Sequence, residues 1–318
     1  MTAAPLLPDW TPEQKRDRRE GIVTFRHRLA QTGLFSDASL AAMIDAHPRD
    51  MLDVCTMRQN PPPNERWIAG DPGRLSGAEL VEAVKRGSLW LSLRQGMNVH
   101  AQPTLDRMMA EWTAQTADKV LSAKASILIS GPNMGIFFQV YTAETMLWHL
   151  RGHKTMIVYP PQEAFVPEQA LEAILHKETL SDAPWRPEME AHARHVPLGP
   201  GEAAHWELNA PHRVLNGPDL NVSVSMEYAT PYSRHLNGAY WFNGFLRRRL
   251  GLNLSTRDLP RALTPVWWAA AKLAQRLFPA KANFERAHVR QFDVDLSQPD
   301  AIRWRDGYAP LVERKLAA

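Results

Sequence analysis

The sequence predicts a mainly β protein with flanking helices, built on an antiparallel jelly roll, from three observations. Short segments rich in β-branched and aromatic residues follow one another across residues 125–228, Gly and Pro punctuate them, and no long helical period intervenes. With 318 residues the chain exceeds a minimal jelly roll of about 150 residues, so additions around the barrel are expected.

Within ILISGPNMGIFFQVYTAETMLWHLRGHKTMIVYPP, residues 125–129, 135–141, 145–150 and 154–159 read as strands. Arg151, Gly152 and His153 turn the chain into the last of them. Downstream, a Gly/Pro turn at 199–201 precedes a short strand, a loop ending at His212, and an alternating strand over 220–228. Asn216-Gly217 has the composition of a two-residue hairpin turn.

Ahead of this core, residues 22–29 and 51–57 read as strands, with a helix over 37–45 after a Ser36 cap. The Pro-rich run at 61–64 breaks the chain, and Ser76 with Glu79 forms a capping box for a helix that ends at Gly87. A strand over 89–93 follows, and Leu105, Met108, Met109 and Trp112 mark the core face of a further helix. After the barrel, residues 236–250 turn aromatic and then basic, and Thr264-Pro265 opens a helix that carries Trp267 and Trp268 and stops before Pro279. That helix has three uses open to it: docking on the barrel, pairing with a second copy in a homodimer, or lying on an anionic membrane surface. Alternation of Val289, Phe292 and Val294 within 287–296 predicts an edge strand. One unit in three portions is expected: an N-terminal αβ portion over 1–118 packing on the barrel, the core over 119–232, and a C-terminal helical extension and tail over 233–318.

A formal charge of +3 and a pI near 9.0 do not demand a nucleic-acid-binding surface. The single cysteine, Cys55, excludes an intramolecular disulfide and a Cys-based zinc cluster, which suits a reducing compartment. No apolar run reaches the roughly 18 residues of a membrane span, and the N-terminus has no signal-length apolar stretch before its charges, so the expected location is cytoplasmic. Walker, nucleophile-elbow and Rossmann patterns do not occur, so nucleotide hydrolysis and nicotinamide chemistry find no support.

Several pieces taken together carry a family resemblance: Ser130, the strand through Tyr141, the LRGHK turn at 150–154, the VYPP that follows, the PGEA turn, and PHRVLNG at 211–217. On these the region 120–230 resembles the JmjC or cupin-like branch of the Fe(II)/2-oxoglutarate dioxygenases, which includes the asparaginyl hydroxylases. The resemblance implies a double-stranded β-helix core, and it places the family's first metal motif, His-x-Asp or His-x-Glu, on Gln139-Val140-Tyr141. Both ligand positions are therefore changed. The family's distal histidine falls on His212, and its 2-oxoglutarate-binding lysine falls on Lys154.

Two imidazoles and a carboxylate normally hold Fe(II) on one face and leave three positions free. A Gln amide is a weak neutral donor, and a phenol must lose a proton of pKa near 10 before it binds well. Substitute donors can be sought at His149 and Glu144 beside His212, because positions 145, 147 and 149 share a strand face and His149 would point inward with Thr145. His205 is a further candidate, and His192 with His195 have a chelating i, i+3 spacing, in surroundings that read as a solvated loop.

Three readings remain open. In the first, a divergent member of the superfamily without the usual facial triad binds a small carboxylate or a peptide through Lys154, Gln139 and Thr145. The second is an active Fe(II)/2-oxoglutarate-dependent hydroxylase with a non-standard ligand set around His212. The third is a metal-independent enzyme in which Tyr141 acts as acid or base while Lys154 and His212 hold an anionic substrate.

Overall fold

The computed structural model describes residues 4–19, 21–57, 63, 67–181, 183–278 and 289–306. The N-terminal portion runs α1 (Pro12–Arg19), β1 (Ile22–Arg26), α2 (Asp37–Ala46), β2 (Leu52–Thr56), β3 (Ile68–Asp71), α3 (Gly77–Arg86), β4 (Leu89–Leu93), α4 (Gly96–His100) and α5 (Gln102–Thr116). α2 and α3 begin where side chains accept the free N–H groups of a first turn. The Ser36 hydroxyl accepts from Ser39, and the Ser76–Glu79 capping box is complete. On α5, Leu105, Met108, Met109 and Trp112 are the buried face that their spacing predicted.

The core continues with β5 (Ser122–Ser130), β6 (Gly135–Gln139), β7 (Glu144–Arg151), β8 (Lys154–Val158), α6 (Glu168–Leu175), β9 (Arg194–Leu198), β10 (Glu202–Trp206), β11 (His212–Asn216) and β12 (Asn221–Ala229). α7 (Pro231–Leu250), α8 (Thr264–Leu277), β13 (Phe292–Val294) and β14 (Ile302–Trp304) complete the chain. One sheet has ten strands in the order β1-β10-β7-β12-β5-β4-β2-β3-β13-β14, and a second has four in the order β6-β11-β8-β9. The eight consecutive strands from β5 to β12 contribute four to each sheet, which is the double-stranded β-helix. The remaining strands widen the larger sheet at both edges.

Alternation along the strands separates two apolar layers. Met146, Trp148, Val222, Val224 and Met226 pack outward against Trp112, Phe25 and the N-terminal helices. Leu147, Met156, Val158, Val214, Ala204 and Trp206 pack together between the two sheets and fill the barrel. The β7–β8 turn depends on Gly152 at φ +77°, where a Cβ would stand 2.6 Å from the Leu220 carbonyl oxygen.

Several expectations need correction. The segment with His192 and His195 is not a solvated loop, because Arg194–Leu198 forms β9 on the edge of the smaller sheet. Its alternation is disguised by Arg194 and Pro197, which an edge strand tolerates. Asn216 closes β11 instead of forming a hairpin turn; its amide donates to Ser130 Oγ at 2.8 Å and to the Gly131 carbonyl at 3.0 Å. β1 stops at Arg26 because Leu29–Thr32 winds into a 3-10 turn. α7 starts at Pro231, ahead of the expected 236, on a capping box made by Thr230 and Ser233. The predicted strand appears as β13, but not at an edge: it lies between β3, with which it pairs in parallel, and β14, which takes the edge, while the residues before 289 lie outside the described residues. Trp267 and Trp268 dock within the chain: Trp267 Nε1 donates to Asn243 at 2.8 Å, and Trp268 lies over Gly238 of α7. No helix among the described residues is long and apolar enough to cross a membrane.

Candidate functional site

β6 and β11 are neighbours in the smaller sheet, and their register sets Gln139 directly opposite His212. Tyr141 lies just past the end of β6, and its hydroxyl donates to Gln139 Oε1 at 3.1 Å. The two ligand positions of the implied metal motif are thus joined to each other. His212 is buried, with Nδ1 3.2 Å from the Ala210 carbonyl and its ring covered by Trp206 at 4.7 Å and Tyr141 at 5.1 Å between centroids. Burial pulls its pKa down to about 4, so the imidazole is neutral. Desolvation pushes the Tyr141 hydroxyl well above the ordinary phenol value; the Glu227 charge adds to this, and the Gln139 hydrogen bond opposes it.

These residues do not fit Fe(II). Forming a tyrosinate is made harder by the raised pKa, the Gln139 carbonyl already accepts a hydrogen bond, and a single imidazole remains. Among the described residues no three His, Cys, Asp or Glu side chains come together as a metal-binding group. A chelated 2-oxoglutarate reaching from His212 to Lys154 fares no better. Lys154 and Val158 mark the two ends of β8, and His212 pairs with Val158 while Asn216 pairs with Lys154. Met156 and Val214 pair midway, so their side chains occupy the barrel between the two polar positions. Four residues of strand separate these positions by roughly 13 Å.

Lys154 is the more unusual group. It is 6% exposed, and no hydrogen bond or ion pair holds it among the described residues. Desolvation pulls its pKa down to about 7. It lines a cavity of about 600 Å³ with His153, Leu198, Gly199, Glu202 and Asn216, at the end of the barrel away from His212. The Glu202 carboxylate in this cavity is taken by the Gly199 N–H at 2.9 Å and by Arg26 at 3.4 Å.

The substitute ligands do not converge. His149 points into the barrel, as parity predicts, but both nitrogens are used: one lies 2.8 Å from the Gly152 carbonyl, the other 3.0 Å from Ser223 Oγ. A carbonyl can only accept, so Nε2 carries the proton and Nδ1 accepts from the serine. Burial, with the Lys154 charge nearby, lowers its pKa to about 3. Thr145 is buried and donates to the Ala143 carbonyl at 3.0 Å.

Glu144 sits on the opposite face of β7, beside Thr230 and His205. His192 packs on Phe165, and His195 is exposed on β9. The cluster of Glu144, His205, Tyr228 and Thr230 was not legible as a group, because three strands and a helix cap must be paired before these residues meet.

No protein-family model matches the chain, and no curated protein matches it in sequence. Solved structures that resemble it include one of Escherichia coli ycfD, at 16% identity, covering 86% of this chain and 69% of that one, with a TM-score of 0.49. A second, described as the ribosomal oxygenase YcfD, shares 14% identity over 85% of this chain and 69% of that one, with a TM-score of 0.44. A third, of YcfD with cobalt and 2-oxoglutarate, shares 15% identity over 81% and 64%, with a TM-score of 0.44. The fold assignment rests on the strand order of this chain.

Proposed function

We propose that this chain is a divergent JmjC/cupin-like protein of the 2-oxoglutarate oxygenase superfamily that no longer carries the Fe(II) facial triad and binds a small carboxylate at Lys154. The observation that carries this reading is an ammonium buried without an anionic partner among the described residues, at the wall of a cavity of about 600 Å³. Such a group costs several kcal/mol unless it is paired, and a carboxylate in the cavity supplies a charge-assisted contact where water is scarce. A carboxylate displayed on a peptide satisfies the same contact.

Loss of iron is supported by the Tyr141–Gln139 hydrogen bond and by the covered ring of His212. An active hydroxylase around His212 needs two more donors, and neither His149 nor Glu144 reaches it. Proton transfer by Tyr141 and His212 needs pKa values near neutrality, whereas burial moves both away from it.

Calorimetric titration of acetate, succinate and 2-oxoglutarate into wild type and Lys154→Met at pH 6.5 tests the carboxylate site. Wild type binds at least one of them, and Lys154→Met binds it about tenfold or more weakly. Affinity falls as pH rises through about 7, where Lys154 loses its proton. No binding by wild type, or equal binding by the variant, contradicts the reading.

A further inference from the structure

On the outer face of the larger sheet, where β7 begins and β10 and β12 end, lies a second cleft of about 590 Å³. Its size suits a small-molecule site. Glu144 is buried at this cleft, with its carboxylate 3.3 Å from the Thr230 hydroxyl and 3.9 Å from His205 Nε2. His205 Nε2 is 3.2 Å from the Tyr228 hydroxyl, while His205 Nδ1 is buried with no hydrogen-bond partner among the described residues. Around the opening stand Lys119, Glu207 and Arg261, with the exposed ring of Tyr232 under the Arg261 guanidinium at 5.7 Å.

The arrangement of charge is uncommon. Arg18 and Asp118 in the same cleft form an ion pair. Lys119, Arg261, Glu144 and Glu207 form none with a charged lysine, arginine or carboxylate partner among the described residues. The charges of Arg18 and Arg261 act on Glu144 and Glu207 from beyond ion-pair distance, so among the described residues no lysine or arginine ion pair ties down these two carboxylates. A surface of that kind is complementary to a molecule that itself carries both signs. Burial supports the assignment of Glu144 as the cation-binding group, because it raises that carboxyl's pKa to about 7, and an ammonium contact would restore the ionised form.

We propose that this cleft binds a free amino acid or a similar small zwitterion, its ammonium on Glu144 and its carboxylate on Arg261, with Tyr232, Pro231 and Leu208 against its apolar part. The site lies on the outer face of β7, apart from Lys154, and does not rest on the reading of the barrel.

Thermal-shift and calorimetric titration of the full chain with the individual free L-amino acids, 4-aminobutanoate and 5-aminopentanoate tests it, with butylamine and butanoate as single-charge controls. The expected result is one or more zwitterions binding at least about tenfold tighter than either control, and both Glu144→Gln and Arg261→Ala lowering that affinity about tenfold. Preference for an α- or an ω-amino acid sets the separation of the two contacts. Arg261 is exposed, so Arg261→Ala decides the matter if Glu144→Gln fails to fold. The proposal is overturned if no zwitterion binds, if a control binds as tightly, or if the folded variants bind like wild type.

Discussion

At the scale of single residues, Lys154 makes the proposed ligand contact and contributes to the pH dependence of stability. Its folded pKa is about 7, against an ordinary value of 10.5. Below about 7 both folded and unfolded chains hold the proton, and the folded state carries the full burial penalty of the ammonium. Between about 7 and 10.5 the unfolded chain binds more protons, so this residue makes stability rise with pH. Lys154→Met should therefore stabilise the ligand-free protein at pH 6 by about 1–4 kcal/mol, and the gain should shrink toward pH 10. Urea melts at the two pH values measure this; a gain that grows with pH contradicts it. The sequence placed Lys154 on its strand and His149 on the inward face, but it put His212 at the end of a loop, whereas His212 opens β11. It did not reveal that Met156 and Val214 stand between Lys154 and His212, because that follows from the register of β8 against β11.

Among the elements, β7 and the turn after it carry the most consequence. Glu144 and His149 share this strand yet face opposite layers, so one segment serves the outer cleft and the barrel interior. The turn that ends it requires Gly152: Gly152→Ala adds a Cβ 2.6 Å from the Leu220 oxygen at φ +77° and should cost about 1–3 kcal/mol in chemical denaturation. A variant as stable as wild type contradicts this account of the turn. Elements with strong local signals were legible, among them β4, the α3 capping box and the buried face of α5. β9 was not, since Arg194, His195 and Pro197 interrupt its pattern. On α8, Val266, Leu273 and Leu277 remain 57%, 61% and 64% exposed at spacings of seven and four, although both tryptophans dock on α7.

In the whole molecule, the expected portions share one sheet. β1 pairs with β10, β4 with β5, and β13 with β3, so both flanking segments extend the larger sheet of the barrel. The barrel itself was legible from short alternating strands and Gly/Pro turns. The pairing of β13 with β3 was not, because a pairing between distant segments leaves no local pattern. The fold and the changed motif point in different directions: the strand order is that of a double-stranded β-helix, while the residues at the motif hold one another and the barrel is filled with apolar side chains. The most direct test is metal analysis of protein purified without a histidine tag and reconstituted with Fe(II) without oxygen, followed by a 2-oxoglutarate turnover assay. The expected result is substoichiometric iron and no succinate. One equivalent of iron with succinate formation that disappears in His212→Ala would contradict it.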